Sequence, residues 1–409
     1  MVLTARRSRS LDGMNVTRRF DINRVRLQHY RSIKRCDVLL EDLTVLVGPN
    51  GSGKSNFVDS LRFVSQALGE NLDNALRERG GAAEVRRRSA GHPTHFTIEL
   101  DFTGDGITGG YRFKIGAVKG GDYRVTHERC VVHRNDTLAD EDVFYEVRDG
   151  QLVASSFQTP LPPSADDRLY LVHAAAIPDF RPVFDGLSDV NVYNLNPGVM
   201  RAPQRPDAGD LLRRDGSNIA SVLEHLRRTA PDVKNKVEEY LRLVVPGTVA
   251  AERVSYGAYE SLEFRQHVEG REDAWTFTAT SMSDGTLRAL GTLVALFAPG
   301  SSGYSPIGIE EPETALHPAA AGLLLEALSL ASEERQVVAT SHSPELLDSS
   351  DLRPENILTV RAESGVTSIG AMAPAAAEAL RDGSYTAGEL LRVDQLQPPF
   401  PIEQLGLFE

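Results

Sequence analysis

Cysteine is nearly absent from this 409-residue chain. Cys36 and Cys130 are the whole supply, which excludes a disulfide framework and a cysteine-based zinc site. No apolar run approaches the roughly 20 residues that a bilayer-spanning helix needs; Leu290–Pro299 and Leu323–Ala331 come nearest, and both are short. The first twenty residues carry Arg6, Arg7, Arg9, Arg18 and Arg19 but no apolar core, so no secretory leader is expected and a cytoplasmic protein is. Heptads are not sustained anywhere, against a long coiled-coil arm. Net positive charge is missing too. The 44 basic residues face 57 acidic ones, a net of -13, which gives no bulk electrostatic grip on nucleic acid. The basic groups Arg86–Arg88, Arg213–Arg214 and Arg227–Arg228 read as solvated helix faces, leaving DNA a possible partner without support from net charge. Lysine is scarce, six against 38 arginines, so a lysine at a special position is informative.

What is present is ordinary for a globular protein: 41% hydrophobic and 25% charged residues, enough for one large core or two moderate ones. Residues 1–20 read as a basic arm. Val25–Tyr30 and Leu43–Val47 read as strands, the second β-branched and continuous, as a strand buried on both faces requires. A helix follows, with Phe57, Val58, Leu61, Val64 and Leu68 at helical spacing. From His95 to about Ser156 the period drops to two (Phe96, Ile98, Leu100, Phe102; Tyr111, Phe113, Ile115), predicting an antiparallel layer inserted after that helix. Ile219–Leu226 and a segment opening at Pro231 predict two amphipathic helices. Strands are expected at Leu262–Val268 and Trp275–Thr278, then helix 286–298, strand 306–310, helix 318–332 and strand 336–340, an α/β alternation. The expected division is an arm (1–20), an N-terminal lobe (21–175), a helical insert (176–260), a C-terminal lobe (261–394) and a tail (395–409).

Four motifs carry chemistry. Gly48-Pro49-Asn50-Gly51-Ser52-Gly53-Lys54-Ser55 matches the phosphate-binding loop G-x-x-x-x-G-K-[ST], placed between a buried strand and a helix start. Its glycines let backbone N–H groups converge on phosphates at the positive end of the helix. Lys54 would reach the β- and γ-phosphates and the Ser55 hydroxyl would ligate Mg²⁺, with Asn56 beside them. Next, Ile307-Gly308-Ile309-Glu310-Glu311-Pro312-Glu313 ends a strand in adjacent acids, one on each face of the tip. Glu310 would hold Mg²⁺ and Glu311 would polarise an attacking water; an ordinary acidic loop is the other reading. Val337–His342 is a buried strand ending in Ser-His, where His342 either senses a γ-phosphate or is a satisfied polar residue. Finally, Ser281-Met282-Ser283-Asp284-Gly285-Thr286 opens a helix, either as an anion site through Ser283 and Gly285 or as a simple N-cap.

In this order the motifs resemble the ATPase heads of the ABC superclass, on the RecF, SMC and OLD-like branch of bacterial DNA-maintenance and phage-defence ATPases, over about Asp21 to Leu391. The resemblance implies a P-loop NTPase with a mainly parallel central sheet, an antiparallel β lobe and a helical insert. It also implies ATP and Mg²⁺ as cofactors. By position it makes Gly48–Ser55 the Walker A loop, Ser283–Thr286 the signature, Glu310–Glu311 the Walker B acids, Ala315–His317 the D-loop and His342 the switch histidine. Arg31 matches a basic residue that approaches the nucleotide. Departures are specific: Asp284 replaces a signature glycine, Glu310 stands where Asp is common, His317 ends the D-loop in place of Asp, and Asn71 holds the Q-loop glutamine position.

The function expected from this resemblance is ATP hydrolysis by a nucleotide-gated homodimer, serving DNA repair or phage defence. Only 67 residues follow His342, too few for the Toprim domain of OLD-like proteins, so a nuclease would be a separately encoded effector. The alternatives are the ATPase subunit of an ABC transporter and a P-loop small-molecule kinase.

Overall fold

The computed structural model describes residues 19–88, 93–118, 123–134, 142–158, 162, 168–270, 273–300, 305–349 and 351–398. Most of the expected basic arm, most of the expected tail, and Asp140 and Glu141, acids that read in the sequence as part of a solvated turn, lie outside the described residues.

The strands are β1 (Asp21–Tyr30), β2 (Ile33–Leu39), β3 (Leu43–Val47), β4 (His95–Gly104), β5 (Ile107–Ala117), β6 (Tyr123–Arg134), β7 (Val143–Arg148) and β8 (Gln151–Ser155). They continue with β9 (Asn191–Tyr193), β10 (Thr248–Tyr256), β11 (Tyr259–Gln266), β12 (Trp275–Thr278), β13 (Ile307–Glu310), β14 (Val337–Ser341), β15 (Ile357–Glu363) and β16 (Val366–Ala371). Thirteen form one sheet in the order β8-β7-β6-β5-β4-β1-β2-β16-β15-β3-β14-β13-β9, and β10-β11-β12 form a second. The run β15-β3-β14-β13-β9 is parallel, whereas β8 through β2 pair antiparallel. The antiparallel lobe is therefore continuous with the parallel region, hydrogen-bonded through β4 onto β1, rather than a separate layer. Val143–Val153 divides into two strands, because Asp149 and Gly150 both take positive φ and turn the chain back.

Side-chain alternation explains how the parallel region is held. Leu43, Val45 and Val47 enter one core with helices Ile219–Thr229, Pro231–Val244, Asp284–Phe297 and Pro318–Ser332, while Leu46 enters the other with helix Lys54–Gly69 and the antiparallel lobe. Both faces are covered, which is why β3 reads as a continuous apolar run. The predicted helix 318–332 is found at Pro318–Ser332, and the one expected at 286–298 begins earlier, at Asp284, capped by Ser283. The region 176–260 is not purely helical: β9 pairs with β13 at the sheet edge, and residue 260 falls inside β11. No helix among the described residues is long and apolar enough to cross a membrane.

Glu128 anchors the β lobe. Fully buried on β6, it accepts hydrogen bonds from the phenols of Tyr111 (3.1 Å) and Tyr145 (2.8 Å) and the amides of Tyr170 (2.6 Å) and Leu171 (2.8 Å), tying the lobe to the start of helix Leu171–Ala174.

Candidate functional site

Sheet order assembles the site. β14 lies between β3 and β13, and all three are parallel, so the segments leaving their C-terminal ends emerge side by side. These are the Gly48–Lys54 loop after β3, the Glu310–Glu313 acids at and beyond the end of β13, and Ser341–His342 at the end of β14. Register places Ser341 opposite Val47 and Glu310 opposite Thr340. Ligands of parallel α/β sheets bind at this edge.

The loop after β3 closes tightly on itself, with Ser52 N–H donating to Pro49 O at 3.2 Å and Phe57 N–H to Gly53 O at 3.2 Å. Gly53 has φ 104, and a Cβ there would lie 2.2 Å from Thr367 Oγ1, so no other residue fits. Thr367 Oγ1 in turn donates to Ser52 O (2.8 Å), bonds Ser32 Oγ (2.7 Å), and Asn56 Nδ2 donates to that same serine oxygen (2.7 Å). Thr367 has one hydroxyl proton, which goes to Ser52, so Ser32 supplies the proton of the second bond. The loop thus rests on the β1–β2 turn and on β16, and Asn56 is engaged in that support.

Lys54 is buried, its Nζ donating to Gly48 O at 2.7 Å and Pro49 O at 3.1 Å. Burial lowers its pKa from the ordinary lysine value, opposed by the charges of Glu311 and Glu313. The exposed positions Pro49, Asn50, Gly51 and Ser55 face outward around it.

The two expected Walker B acids diverge. Glu310 Oε1 accepts from Arg214 Nη2 at 3.0 Å and Asn194 Nδ2 at 3.4 Å. Glu311 takes a left-handed backbone (φ 45), its amide donating to both the carbonyl and the hydroxyl oxygen of Thr340 at 3.1 Å. Its carboxylate turns instead toward His342, with Nδ1 to Oε1 at 3.4 Å, and Thr314 Oγ1 at 3.4 Å.

At the signature position, Ser283 Oγ accepts from Thr286 N–H at 3.1 Å, the N-cap geometry, so the two readings of this serine share one conformation. Asp284, which stands where the resemblance expects a glycine, pairs with Arg201, whose Nη2 lies 2.6 Å from Asp284 Oδ1 and 3.0 Å from Met282 O. Gly285 packs directly on Ala315, in the turn that follows the acids. His317 Nδ1 accepts from Ala319 N–H at 3.2 Å, capping helix Pro318–Ser332 as an aspartate would. Arg31 pairs with Asp59 of helix Lys54–Gly69 (2.9 Å), and Asn71 caps helix Leu72–Arg77 by accepting from Asn74 N–H at 2.7 Å.

Several participants carried no assigned role in the sequence. Glu313 lay inside a motif but without a task. Ser32, Thr367 and Arg201 have no local signature; only their neighbours in space mark them. Arg213–Arg214 and Arg86–Arg88, expected on solvated helix faces, lie outside any helix, and Arg214 is drawn to Glu310 instead.

Comparison with known proteins places this geometry. The sequence profile of a family described as "AAA domain, putative AbiEii toxin, Type IV TA system" matches residues 43–348, which span all four motifs from Gly48 to His342. No curated protein matches the sequence. Among solved structures, the SMC head bound to the C-winged helix domain of ScpA is similar at 13% identity and a TM-score of 0.52, covering 87% of this chain and 99% of that one. The Pyrococcus furiosus Smc head domain with an extended coiled coil, bound to the C-terminal domain of ScpA, gives 12% identity, 89% and 99% coverage and a TM-score of 0.49. The Thermotoga maritima SMC head domain gives 14%, 86% and 99%, with a TM-score of 0.42. At such identities the first of these shows a shared fold, and the profile match shows the family. The chain therefore belongs to this AAA-domain family, and it shares the fold of an SMC head domain.

Proposed function

We propose that the chain binds and hydrolyses ATP as a nucleotide-gated homodimer in the cytoplasm. The observation that carries this reading is the convergence of Lys54, Glu311 and His342 at the ends of three adjacent parallel strands. Lys54, Ser52 and the first amides of helix Lys54–Gly69 would hold the phosphates. Ser55 and Glu310 would hold Mg²⁺; Glu310 Oε2 has no hydrogen bond among the described residues, and Ser55 is exposed at the helix start. Held there, Mg²⁺ would supply positive charge that offsets the charge of the phosphates. Glu311 orients and deprotonates the attacking water, with His342 at its shoulder against the γ-phosphate.

Ser283 and Gly285 of one copy would complete the phosphate site of the other, so that ATP holds two copies together and hydrolysis releases them. In this reading residues 21–175 supply the P-loop lobe and 261–394 the signature and acid lobe. The output is a change in how a partner is held, in DNA repair or phage defence with a separately encoded nuclease effector.

Sedimentation with and without ATP, for the wild type and Glu311→Gln, tests this. ATP should drive both to dimers, and the variant should stay dimeric where the wild type relaxes as ATP is consumed. A molecule whose assembly state ignores ATP would instead fit the kinase alternative.

A further inference from the structure

Glu313 is the one acid of the Glu310–Glu313 run that the hydrolytic reading leaves unused, and it is the most deeply buried of the three. It is 7% exposed, and its Oε1 accepts the hydroxyl proton of Ser341 at 2.6 Å and the amide of His342 at 3.4 Å. Its Oε2 is also buried and makes no hydrogen bond in the structure. A buried carboxylate so incompletely paired is costly to keep for packing alone. Its charge bears on both Lys54 and Arg288 of helix Asp284–Phe297.

The two bonds made by Oε1 go to consecutive residues, at the point where β14 ends and the switch turn begins. Ser341 Oγ further accepts from Ser343 N–H at 3.1 Å, so one carboxylate oxygen and one hydroxyl fix the whole Ser341–Ser343 turn. That turn decides where the His342 ring lies, and the ring faces Glu311 Oε1 at 3.4 Å. Glu313 and Glu311 are two residues apart in the 311–314 turn, which Thr314 N–H closes onto Glu311 O at 3.1 Å. The base and the support of its histidine partner thus belong to one short rigid segment.

We infer that Glu313 is a positioning residue for ATP hydrolysis: it locks the Ser341–His342 turn so that His342 stays aligned with Glu311. The inference rests on the ATPase reading above. It requires a hydrogen-bond acceptor at Oε1, not a negative charge, so glutamine should serve where leucine fails.

The test measures kcat, the equilibrium dissociation constant for ATP and thermal unfolding of the full chain for Glu313→Leu, Glu313→Gln and Ser341→Ala. Misplacing a catalytic pair by a fraction of an ångström costs on the order of tenfold or more in rate. Glu313→Leu and Ser341→Ala should therefore lose about tenfold or more in kcat while ATP affinity stays within about threefold. Glu313→Gln should retain most of the rate, and the Glu313→Leu/Ser341→Ala pair should be no worse than Glu313→Leu alone. Should Glu313→Leu fail to fold, Ser341→Ala, which removes the same bond with little change of volume, decides the matter. Full turnover in Ser341→Ala, loss of rate only in step with ATP affinity and unfolding temperature, or a glutamine variant as slow as leucine each overturns the inference. A wild type that binds ATP without turnover overturns the ATPase reading and this inference together, whereas a turning-over wild type with unaffected variants overturns the inference alone.

Discussion

Gly285 and Ala315 meet backbone to backbone: a Cβ on Gly285 would sit 2.2 Å from the Ala315 carbonyl oxygen, and Ala315 itself holds a left-handed φ of 66. The helix that opens at the signature position and the turn that follows the acids are therefore locked together at one point. Gly285→Ala must push them apart, an overpacking that costs about 1–3 kcal/mol. The expected outcome is ATP binding by the separate subunit at wild-type affinity, read by calorimetry, with ATP-driven dimerisation weakened by about tenfold or more in sedimentation.

Arg201 and Asp284 form an exposed pair, Asp284 being 63% exposed, and such pairs add about 0–1 kcal/mol to stability. Their importance is electrostatic and local. Arg201→Ala frees a carboxylate beside the signature serine, where a phosphate of the partner's nucleotide would arrive. ATP-driven association should weaken with no change in unfolding temperature, and adding Asp284→Asn should restore it. Failure of that second substitution to rescue would assign Arg201 a different task.

Thr367 is the keystone of a directed chain of bonds, from Asn56 to Ser32 to Thr367 to the Ser52 carbonyl. Thr367→Val keeps the shape beneath Gly53 but removes both of its bonds and leaves buried polar atoms unpaired, a loss of about 1–3 kcal/mol. Calorimetric titration with ATP should show affinity reduced by about tenfold or more, with the antiparallel lobe unaltered in its near-ultraviolet circular dichroism.

His29 supplies a pH dependence of stability. Burial lowers its pKa first, and Arg87 and Lys34 push the same way, with Lys114 adding less, against a hydrogen bond involving the His95 backbone that raises it. A histidine with a depressed folded pKa favours the native state while neutral. That contribution is whole above the ordinary value of about 6.5 and is lost as pH falls through the folded value. Denaturation of the wild type and His29→Asn at pH 8, 6 and 5 should show the wild type's advantage shrinking toward acid pH. Asparagine suits the comparison because it tolerates the φ of 56 found there.

Much of the architecture was legible along the chain because it rests on local rules. β3 is a β-branched run buried on both faces, Trp275–Thr278 is a strand as expected, and helix Pro318–Ser332 begins at its proline. β2, β9, β10, β15 and β16 were not anticipated. They are short, mixed in polarity or charged at one end, and pairing with neighbours distant in sequence makes them strands; β16, for example, meets β2 through Thr367 and Ile33.

The same division runs through the site. Gly48–Ser55, the paired acids and the Ser-His strand end are recognisable by themselves, because each motif's chemistry depends on residues adjacent in the chain. Which acid faces the histidine, what carries the charge of Asp284, where Arg31 points and what supports the loop were settled by contacts across the fold. Hydrogen bonds and ion pairs form between whatever the packed sheet and helices bring within about 3 Å, and sequence separation leaves no trace of that. Glu313 shows both halves at once: its place in the motif was visible from the start, while its hold on Ser341 and His342, from 28 and 29 residues away, exists only once β14 has been laid between β3 and β13.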